Sequence, residues 1–348
     1  MNEFNRRRAL KQMLLAAATA LLPHQVIAGG PQSSLLKPPR LKPGDTVGLI
    51  NPAGATFLTE DIRIATESLA ALGLKAKEGA HLLDRYGYLA GQDKDRADDV
   101  NTMFADDSVQ AILCVRGGWG CNRILQMIDY DLVRKHPKII LGYSDITSLL
   151  VAIYAKSGLV TFHGPVGIST WNKFSVDYFK RILFEGEAVT LQNPTDVVDN
   201  LTQTKDRVEV ITSGQTRGRL AGGNLSVLSA MAGSEFLPDW RGHILFLEED
   251  GENIYRVDRM LTTLKLAGIL DKLSGFIFGK CTKCEPGDGY GSLTLEEVLS
   301  DHIKPLGIPA WYGAMIGHIE NKFTVPVGVE VEIDSGKGSI RMVESAVQ

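Results

Sequence analysis

The sequence predicts an α/β protein in which a parallel-sheet domain is followed by a smaller α+β domain. In the first half, short apolar runs alternate with helical patterns and end in glycine-containing turns. That alternation is typical of a parallel sheet, whose ligands bind at the carboxyl ends of the strands. In the second half, short strands and helices are mixed. A chain of 348 residues is long enough for two such domains.

Four apolar runs, each bounded by a turn signal, predict the strands of the first domain. They cover residues 46–50 and 109–115, a run that begins at 139, and residues 159–162. Residues 58–72 carry apolar side chains at helical spacing and stop at Gly73, and residues 95–105 predict a second helix. We therefore expect a Rossmann- or flavodoxin-like N-terminal domain over residues 40–170.

Residues 171–215 are largely polar and are predicted to form a linker with some extended pieces. The C-terminal domain is expected over residues 216–340. Its glycine-rich segment 217–224 predicts a loop that enters a helix at Leu225, and residues 323–333 predict a single edge strand in which Pro326 is tolerated. The remaining elements are strands at 244–247 and 276–279 and a helix at 254–266.

The first 28 residues predict an export signal that is not part of the fold. Three arginines at positions 6–8 form a twin-arginine pattern, an uncharged apolar run covers 13–22, and small residues end the segment near Ala28. The apolar run is shorter than the 20 or so residues of a membrane span. Positive flank, apolar core and small-residue end favour a twin-arginine signal over a disordered basic tail, and hence a periplasmic location.

The charge balance argues against nucleic acid as a partner. Removal of residues 1–28 takes away four positive charges and one negative charge, so the formal charge moves from −4 to −7. A mildly acidic chain has no electrostatic basis for binding nucleic acid or for a polybasic membrane anchor. We therefore expect no stable membrane anchor once the signal is removed.

The four cysteines are too few for a fold built on disulfides. Cys281 and Cys284 have CxxC spacing, which by itself is a weak signal for a metal or a redox site. A zinc site would need two further ligands, and none is suitably spaced nearby. We expect neither a metal nor a cofactor, and the sequence leaves the redox state of this pair open.

Ser144 is the first candidate for a catalytic residue. It follows the apolar run 139–142 and precedes an amphipathic stretch, with Asp145 and Thr147 able to begin a helix. A serine at a strand-to-helix turn presents its hydroxyl beside backbone N–H groups that can stabilise an oxyanion. Ile146 stands where a nucleophile elbow has its second glycine, so the local pattern also fits an ordinary helix N-cap.

A serine nucleophile needs a base and usually a carboxylate that orients the base. His318, in the segment Gly317–Glu320, is favoured because the preceding glycine permits a tight turn before a strand. His163 is the other histidine at a strand end, although a lone histidine is more often structural. Glu248 ends a buried strand, where a charge requires a partner or solvent.

A glycine-rich segment follows the second predicted strand, at Arg116-Gly117-Gly118-Trp119-Gly120. It lacks the lysine and serine or threonine of a phosphate loop, and the dinucleotide-binding pattern is absent. The alternative use of these glycines is a backbone N–H directed at an oxyanion. Arg116 is a candidate for pairing with a substrate carboxylate or for a structural role beside the sheet.

These segments together resemble the LD-carboxypeptidases, the muramoyltetrapeptide carboxypeptidases. The resemblance covers roughly residues 40–335, and its motifs occur in the expected order. They are Tyr88-Leu89-Ala90-Gly91, Arg116-Gly117-Gly118-Trp119-Gly120, Gly142-Tyr143-Ser144-Asp145-Ile146-Thr147, His163-Gly164-Pro165, Gly222-Gly223-Asn224-Leu225, Leu247-Glu248 and Gly317-His318.

The resemblance implies a serine carboxypeptidase that removes the terminal D-alanine from murein tetrapeptides. It implies Ser144 as nucleophile, His318 as general base and Glu248 as the partner that orients the base. The oxyanion hole would use the N–H of Asp145 and one from Gly117 or Gly118. Glu249 stands where the family has an aspartate. We also expect Arg116 and Asn224 to contact the substrate.

Substrate and assembly stay open at this stage. The sequence also resembles the microcin C immunity proteins of the same superfamily, which hydrolyse an amide in peptide-nucleotide antibiotics. An exported two-domain α/β protein is also compatible with a periplasmic binding protein, because fold class alone does not decide function. The predicted periplasmic address favours the murein peptide, and we expect the chain to form a homodimer.

Overall fold

We analysed a computed structural model of the chain, which describes residues 35–195, 197, 200–287 and 291–348. The predicted export signal, residues 1–28, lies outside the described residues. Residues Leu35–Gln348 form one compact unit that contains two β-sheets. None of the helices in the described ranges combines the length and apolar character needed to cross a membrane.

The first sheet has six strands, five of which are parallel, in the order β12-β5-β4-β3-β1-β2. The strands are β1 (Thr46–Ile50), β2 (Lys75–Glu78), β3 (Ala111–Cys114), β4 (Ile139–Gly142), β5 (Thr161–His163) and β12 (Val325–Val327). The order of β2, β1, β3, β4 and β5 is that of a flavodoxin-like sheet. Such a sheet binds ligands outside the carboxyl ends of its strands, at the point where the strand order reverses.

The apolar runs of the sequence form the centre of this sheet. β3 and β4 are buried along their whole length, as expected for strands covered by helices on both faces. The helices that accompany this sheet are α1 (Thr59–Ala71), α2 (Asp93–Ala105), α3 (Cys121–Ile124), α4 (Tyr130–Lys135), α5 (Thr147–Ser157) and α6 (Lys173–Leu183). The predicted parallel-sheet domain is therefore confirmed.

The second sheet is mixed and has eight strands, in the order β6-β14-β13-β8-β9-β10-β11-β7. The strands are β6 (Thr190–Gln192), β7 (Glu209–Thr212), β8 (Gln215–Asn224), β9 (His243–Asp250), β10 (Gly275–Thr282), β11 (Ala310–Tyr312), β13 (Glu330–Asp334) and β14 (Ser339–Met342). Its helices are α7 (Leu225–Ala230), α8 (Ile254–Leu266) and α9 (Leu295–Ile303). Strands β8 to β11 run parallel, and the others pair antiparallel.

The glycine-rich segment that we predicted as a loop is a strand. It forms most of β8, which pairs with β9 on one side and with β13 on the other. The glycines were interpreted as a sign of a turn, whereas in the structure they allow neighbouring segments to pack closely against the strand. A Cβ atom at Gly223 would lie 2.4 Å from Oγ1 of Thr147, at the start of α5. That hydroxyl accepts the backbone N–H of Asn224 at 2.9 Å, so β8 and the helix after Ser144 are directly joined.

The single edge strand predicted over residues 323–333 is also wrong. This segment forms two strands that belong to different sheets, β12 and β13. The predicted edge position holds for β12, which contains Pro326 and borders the six-stranded sheet. β13 is an interior strand between β8 and β14. Gly328, whose φ is +101°, lies between the two strands and changes the direction of the chain.

Residues 171–215 contain more regular structure than their polar composition suggests. Helix α6 and the short strands β6 and β7 lie in this segment. Beyond it, Cys281 and Cys284 form a disulfide at the end of β10, while Cys114 and Cys121 are buried free thiols. The CxxC motif is therefore a local cross-link in this structure.

Candidate active site

Ser144 lies at a sharp turn between β4 and α5. Its φ is +64°, a left-handed conformation that residues other than glycine rarely adopt. Residues Ser144–Ile146 form one turn of 3₁₀-helix, and α5 follows directly at Thr147. Such strained backbone is concentrated at functional sites, where it orients a reactive side chain. Ser144 is not the N-cap residue of either helical segment.

The Ser144 hydroxyl begins a chain of hydrogen bonds that runs through His318 to Glu248. Nε2 of His318 lies 3.0 Å from Oγ of Ser144. Nδ1 of the same ring lies 2.8 Å from Oε2 of Glu248. The three residues are distant in sequence, and the fold brings them together from the two sheets. This is the geometry of a nucleophile, a base and an orienting carboxylate.

Glu248 lies within β9 and its side chain has no exposed surface. Gly317 makes room for it, because a Cβ atom at position 317 would lie 2.9 Å from Oε2 of Glu248. Gly317 also has a φ of +127°, which a residue with a side chain would adopt only under strain. The glycine that favoured His318 in the sequence thus allows its ring to reach the carboxylate.

Glu249, the neighbouring glutamate, faces a different set of partners. Its carboxylate accepts the N–H of Ser226 at 2.7 Å and the side-chain amide of Asn224 at 3.2 Å. Burial and the nearby charge of Glu248 raise the pKa of Glu249 to about 7, against the effect of its hydrogen bonds. In this structure Glu248 rather than Glu249 bonds to His318.

A second histidine, His163, lies beside Glu248. Its Nε2 is 3.8 Å from Oε1 of Glu248, and both residues are almost fully buried. Neither atom has a hydrogen-bond partner within the described part of the chain. The sequence marked His163 as a histidine at a strand end and as part of a family motif, but no local signal connected it with a glutamate of the other sheet.

Burial and local contacts have opposite effects on the pKa values of Glu248 and His318. Burial favours the neutral form of Glu248, but the two histidines outweigh it and lower the pKa of Glu248 to about 2. Burial likewise favours neutral His318, but the hydrogen bond to Glu248 and the negative charges of Glu248 and its neighbours together outweigh it, and the pKa of His318 is raised. Glu248 is therefore an anion that stabilises the imidazolium of His318, as a proton-accepting base requires.

The glycine loop after β3 packs against the serine. A Cβ atom at Gly117 would lie 2.8 Å from Cβ of Ser144 and 3.1 Å from its Oγ, so this position excludes any side chain. The carbonyl of Gly117 accepts the N–H of Gly54 at 3.2 Å. Gly118 packs against Gly54. The loop therefore places backbone of Gly117 beside the reactive hydroxyl.

Asp145 holds the serine turn to this loop. Its buried carboxylate accepts the backbone N–H of Cys121 at 2.8 Å, just beyond the glycine segment. Burial raises the pKa of Asp145 in spite of that hydrogen bond. The side chain of Asp145 is thus engaged in the fold, which leaves its backbone N–H as the group relevant to an oxyanion.

The two predicted substrate-contact residues have internal partners. Arg116 donates from Nη1 to the carbonyl of Ala55 at 2.9 Å. The side chain of Asn224 accepts the N–H of Val227 as the N-cap of α7 and donates to Glu249. Their predicted roles toward a substrate stay predictions.

Sequence reasoning missed two further residues of the site, Tyr143 and Lys322. The Tyr143 ring lies 4.9 Å from the ring of His318, centroid to centroid. The ammonium of Lys322 lies 4.4 Å from the centroid of the Tyr143 ring. Both residues are close in sequence to predicted site residues, and that adjacency was the available signal.

Comparison with known proteins agrees with this geometry. Residues 217–333 match the model of the LD-carboxypeptidase C-terminal domain, and residues 47–164 match that of the N-terminal domain. A probable murein peptide carboxypeptidase of Bacillus subtilis is 40% identical over 306 residues, which are 86% of this chain and 92% of the relative. The chain belongs to the LD-carboxypeptidase family.

Further relatives include proteins with two different described activities. A murein tetrapeptide carboxypeptidase of Pseudomonas aeruginosa is 30% identical, over 84% of this chain and 94% of the relative. Among solved structures, a microcin C7 self-immunity protein with bound glutamyl sulfamoyl guanosine has a TM-score of 0.81 at 28% identity, over 90% of this chain and 100% of that chain. A muramoyltetrapeptide carboxypeptidase from Oxalobacter formigenes has a TM-score of 0.74 at 28% identity. The match covers 85% of this chain and 97% of that chain.

The LD-carboxypeptidase family membership predicted from the motifs is therefore confirmed, and so is the two-part α/β fold. The chain is a hydrolase of the serine LD-carboxypeptidase family. A purely binding role, which the fold class alone allowed, does not fit this membership.

Proposed function

We propose that this LD-carboxypeptidase releases the terminal D-alanine from murein tetrapeptides, with Ser144 as nucleophile, His318 as general base and Glu248 as its orienting partner. The observation that carries the proposal is the continuous hydrogen-bonded chain from Oγ of Ser144 through His318 to the buried carboxylate of Glu248. The names of two relatives, a murein peptide and a murein tetrapeptide carboxypeptidase, support the substrate class.

The proposed reaction is an acyl transfer in two steps. Oγ of Ser144 attacks the carbonyl carbon before the terminal D-alanine while its proton passes to Nε2 of His318. The N–H of Asp145 and one from Gly117 or Gly118 stabilise the oxyanion. His318 then gives its proton to the departing amine of D-alanine. A water molecule, activated by His318, hydrolyses the acyl-enzyme and restores Ser144.

The second candidate substrate is the amide of a peptide-nucleotide antibiotic. The likeness to the microcin C7 self-immunity protein, with a TM-score of 0.81, favours this possibility. We rank it second because the most similar of the relatives named above carries a murein-peptide description, at 40% identity. The twin-arginine pattern of the sequence also favours a periplasmic enzyme, and murein peptides are available on that side of the membrane.

Incubation with two substrates separates the candidates. Purified protein is given a disaccharide tetrapeptide in one reaction and an aminoacyl-sulfamoyl adenylate in another, with Ser144→Ala as the control for each. We expect wild-type protein to release D-alanine from the first substrate. If only the adenylate is consumed, the murein peptide is not the substrate, but the proposed triad still stands.

The periplasmic address and the homodimer are parts of the proposal that need their own tests. Residues 1–28 fused to a reporter that is active only after folded export should give activity that is lost when Arg6 and Arg7 become lysine. Light scattering of the mature protein should give twice the mass of one chain. A reporter that stays in the cytoplasm would contradict the periplasmic location, and the mass of a single chain would contradict the homodimer.

A further inference from the structure

We propose that Lys322 binds the free terminal carboxylate of the substrate and thereby selects peptides that end in a carboxylic acid. The inference rests on the proposed peptide substrate and assigns a residue to its recognition. Lys322 lies in the segment of the chain that connects His318 to β12, and it is only 5% exposed. Its backbone N–H donates to Oγ of Ser175 at 3.1 Å, which fixes the main chain from which its side chain extends.

The ammonium of Lys322 has no hydrogen-bonding or ion-pair partner among the residues that the structure describes. It lies over the face of the Tyr143 ring, 4.4 Å from the centroid, where a cation is attracted by the ring. Glu248 and Glu320 act on it through space, but the close contact of Glu248 is its hydrogen bond with His318. Burial outweighs these charges and lowers the pKa of Lys322 to about 8.

A charge withdrawn from water in this way is costly unless an opposite charge binds to it. The position of Lys322 suggests which anion that is. Tyr143 precedes Ser144, and its ring contacts both His318, at 4.9 Å between centroids, and the ammonium of Lys322, at 4.4 Å from the centroid. One aromatic ring therefore separates the cation from the candidate base, and a substrate whose scissile bond lies at Ser144 has its terminal carboxylate one residue away.

Arg116 is less suited to this role, although the sequence favoured it. Its Nη1 already donates to the carbonyl of Ala55 at 2.9 Å, which holds the side chain against the segment after β1. Lys322 has three N–H donors and none of them is used within the described ranges. A hydrogen bond from such a group to a carboxylate is charge-assisted and therefore stronger than one between neutral groups.

The test compares a murein tetrapeptide with the same peptide ending in D-alaninamide. We measure kcat/KM for release of D-alanine or D-alaninamide by wild-type protein, Lys322→Met, Lys322→Gln and Lys322→Arg. Wild-type protein should prefer the acid, and the acid-to-amide ratio should fall about tenfold to a hundredfold in the Met and Gln variants. Lys322→Arg should recover part of the ratio. Lys280→Met is the matched control, because Lys280 is also desolvated but lies 3.9 Å from Asp206.

A purely structural lysine would give a different pattern. In that case, the Met and Gln variants would lose activity equally on acid and amide, and labelling of Ser144 by a fluorophosphonate would slow in parallel. That result, or a wild-type enzyme that does not prefer the acid, would overturn the role of Lys322 alone. A wild-type enzyme inert on both peptides would overturn the proposed function, and this assignment with it.

Discussion

Gly317 lies directly against the carboxylate that orients the candidate base. A Cβ atom at this position would come within 2.9 Å of Oε2 of Glu248, the oxygen that bonds to His318. The backbone there also has a φ of +127°. One glycine therefore sets both the path of the chain before His318 and the distance between the base and its carboxylate.

We expect Gly317→Ala to lower kcat at least tenfold, because the methyl group displaces the carboxylate, and to destabilise the protein by about 1–3 kcal/mol through backbone strain. Steady-state kinetics and urea unfolding measure the two effects. Gly307→Ala is the control: its φ is +66°, and no atom lies within 4 Å of the added carbon. It should destabilise without changing kcat. Equal kcat values for both variants would contradict the role of Gly317.

Ser144→Ala should reduce kcat by a factor of about 10⁴ or more and leave the fold intact, because the Ser144 hydroxyl bonds only to His318 among the described residues. Circular dichroism and the melting temperature check the fold. A fluorophosphonate should label wild-type protein at Ser144, as shown by peptide mapping, and should not label the variant. Ser68→Ala, which removes an exposed hydroxyl from α1, should behave as wild type. Turnover by Ser144→Ala at a rate near that of wild type would show that another group is the nucleophile.

The activity should depend on pH through His318. A base must be unprotonated, so kcat/KM should be full at high pH and fall as pH drops through the pKa of His318. Because Glu248 raises that pKa, the midpoint should lie above the usual 6.5. Glu248→Gln should lower the rate and move the midpoint to lower pH. His81→Asn, at a half-buried histidine outside the site whose pKa is raised by its hydrogen bond to Asp84, should leave the profile unchanged. If the midpoint of the kcat/KM profile is the same in Glu248→Gln as in wild type, His318 is not the titrating group.

Asp145 should contribute to stability through the hydrogen bond that it accepts from Cys121. Asp145→Ala leaves that buried N–H without its acceptor, and we expect a loss of about 1–3 kcal/mol in the free energy of unfolding. Asp145→Asn keeps an acceptor oxygen and should lose less. Asp131→Ala, on the exposed side of α4, is the control. Urea unfolding measures all three, and equal stability of Asp145→Ala and wild type would show that the turn does not depend on this contact.

Local pattern in the sequence determined the elements that one segment can specify alone. The apolar runs predicted β3 and β4 because a strand buried on both faces must be apolar throughout. The same reasoning predicted helix α8 with the bounds Ile254–Leu266. It also marked Ser144 as a candidate, because a serine between a strand and helix-capping residues fits either a nucleophile turn or an ordinary helix N-cap. The triad itself came from the family resemblance carried by the motifs.

Tertiary structure decided the features that depend on pairing between distant segments. The glycines of β8 became a strand only because β9 and β13 supply partners on both sides, and no local rule contains that information. Residues 323–333 divide between two sheets for the same reason. The contacts of His163 with Glu248 and of the Lys322 ammonium with the Tyr143 ring depend on which side chains the fold buries together. Burial and non-local charge, which set the pKa values of these groups, exist only once the chain has folded.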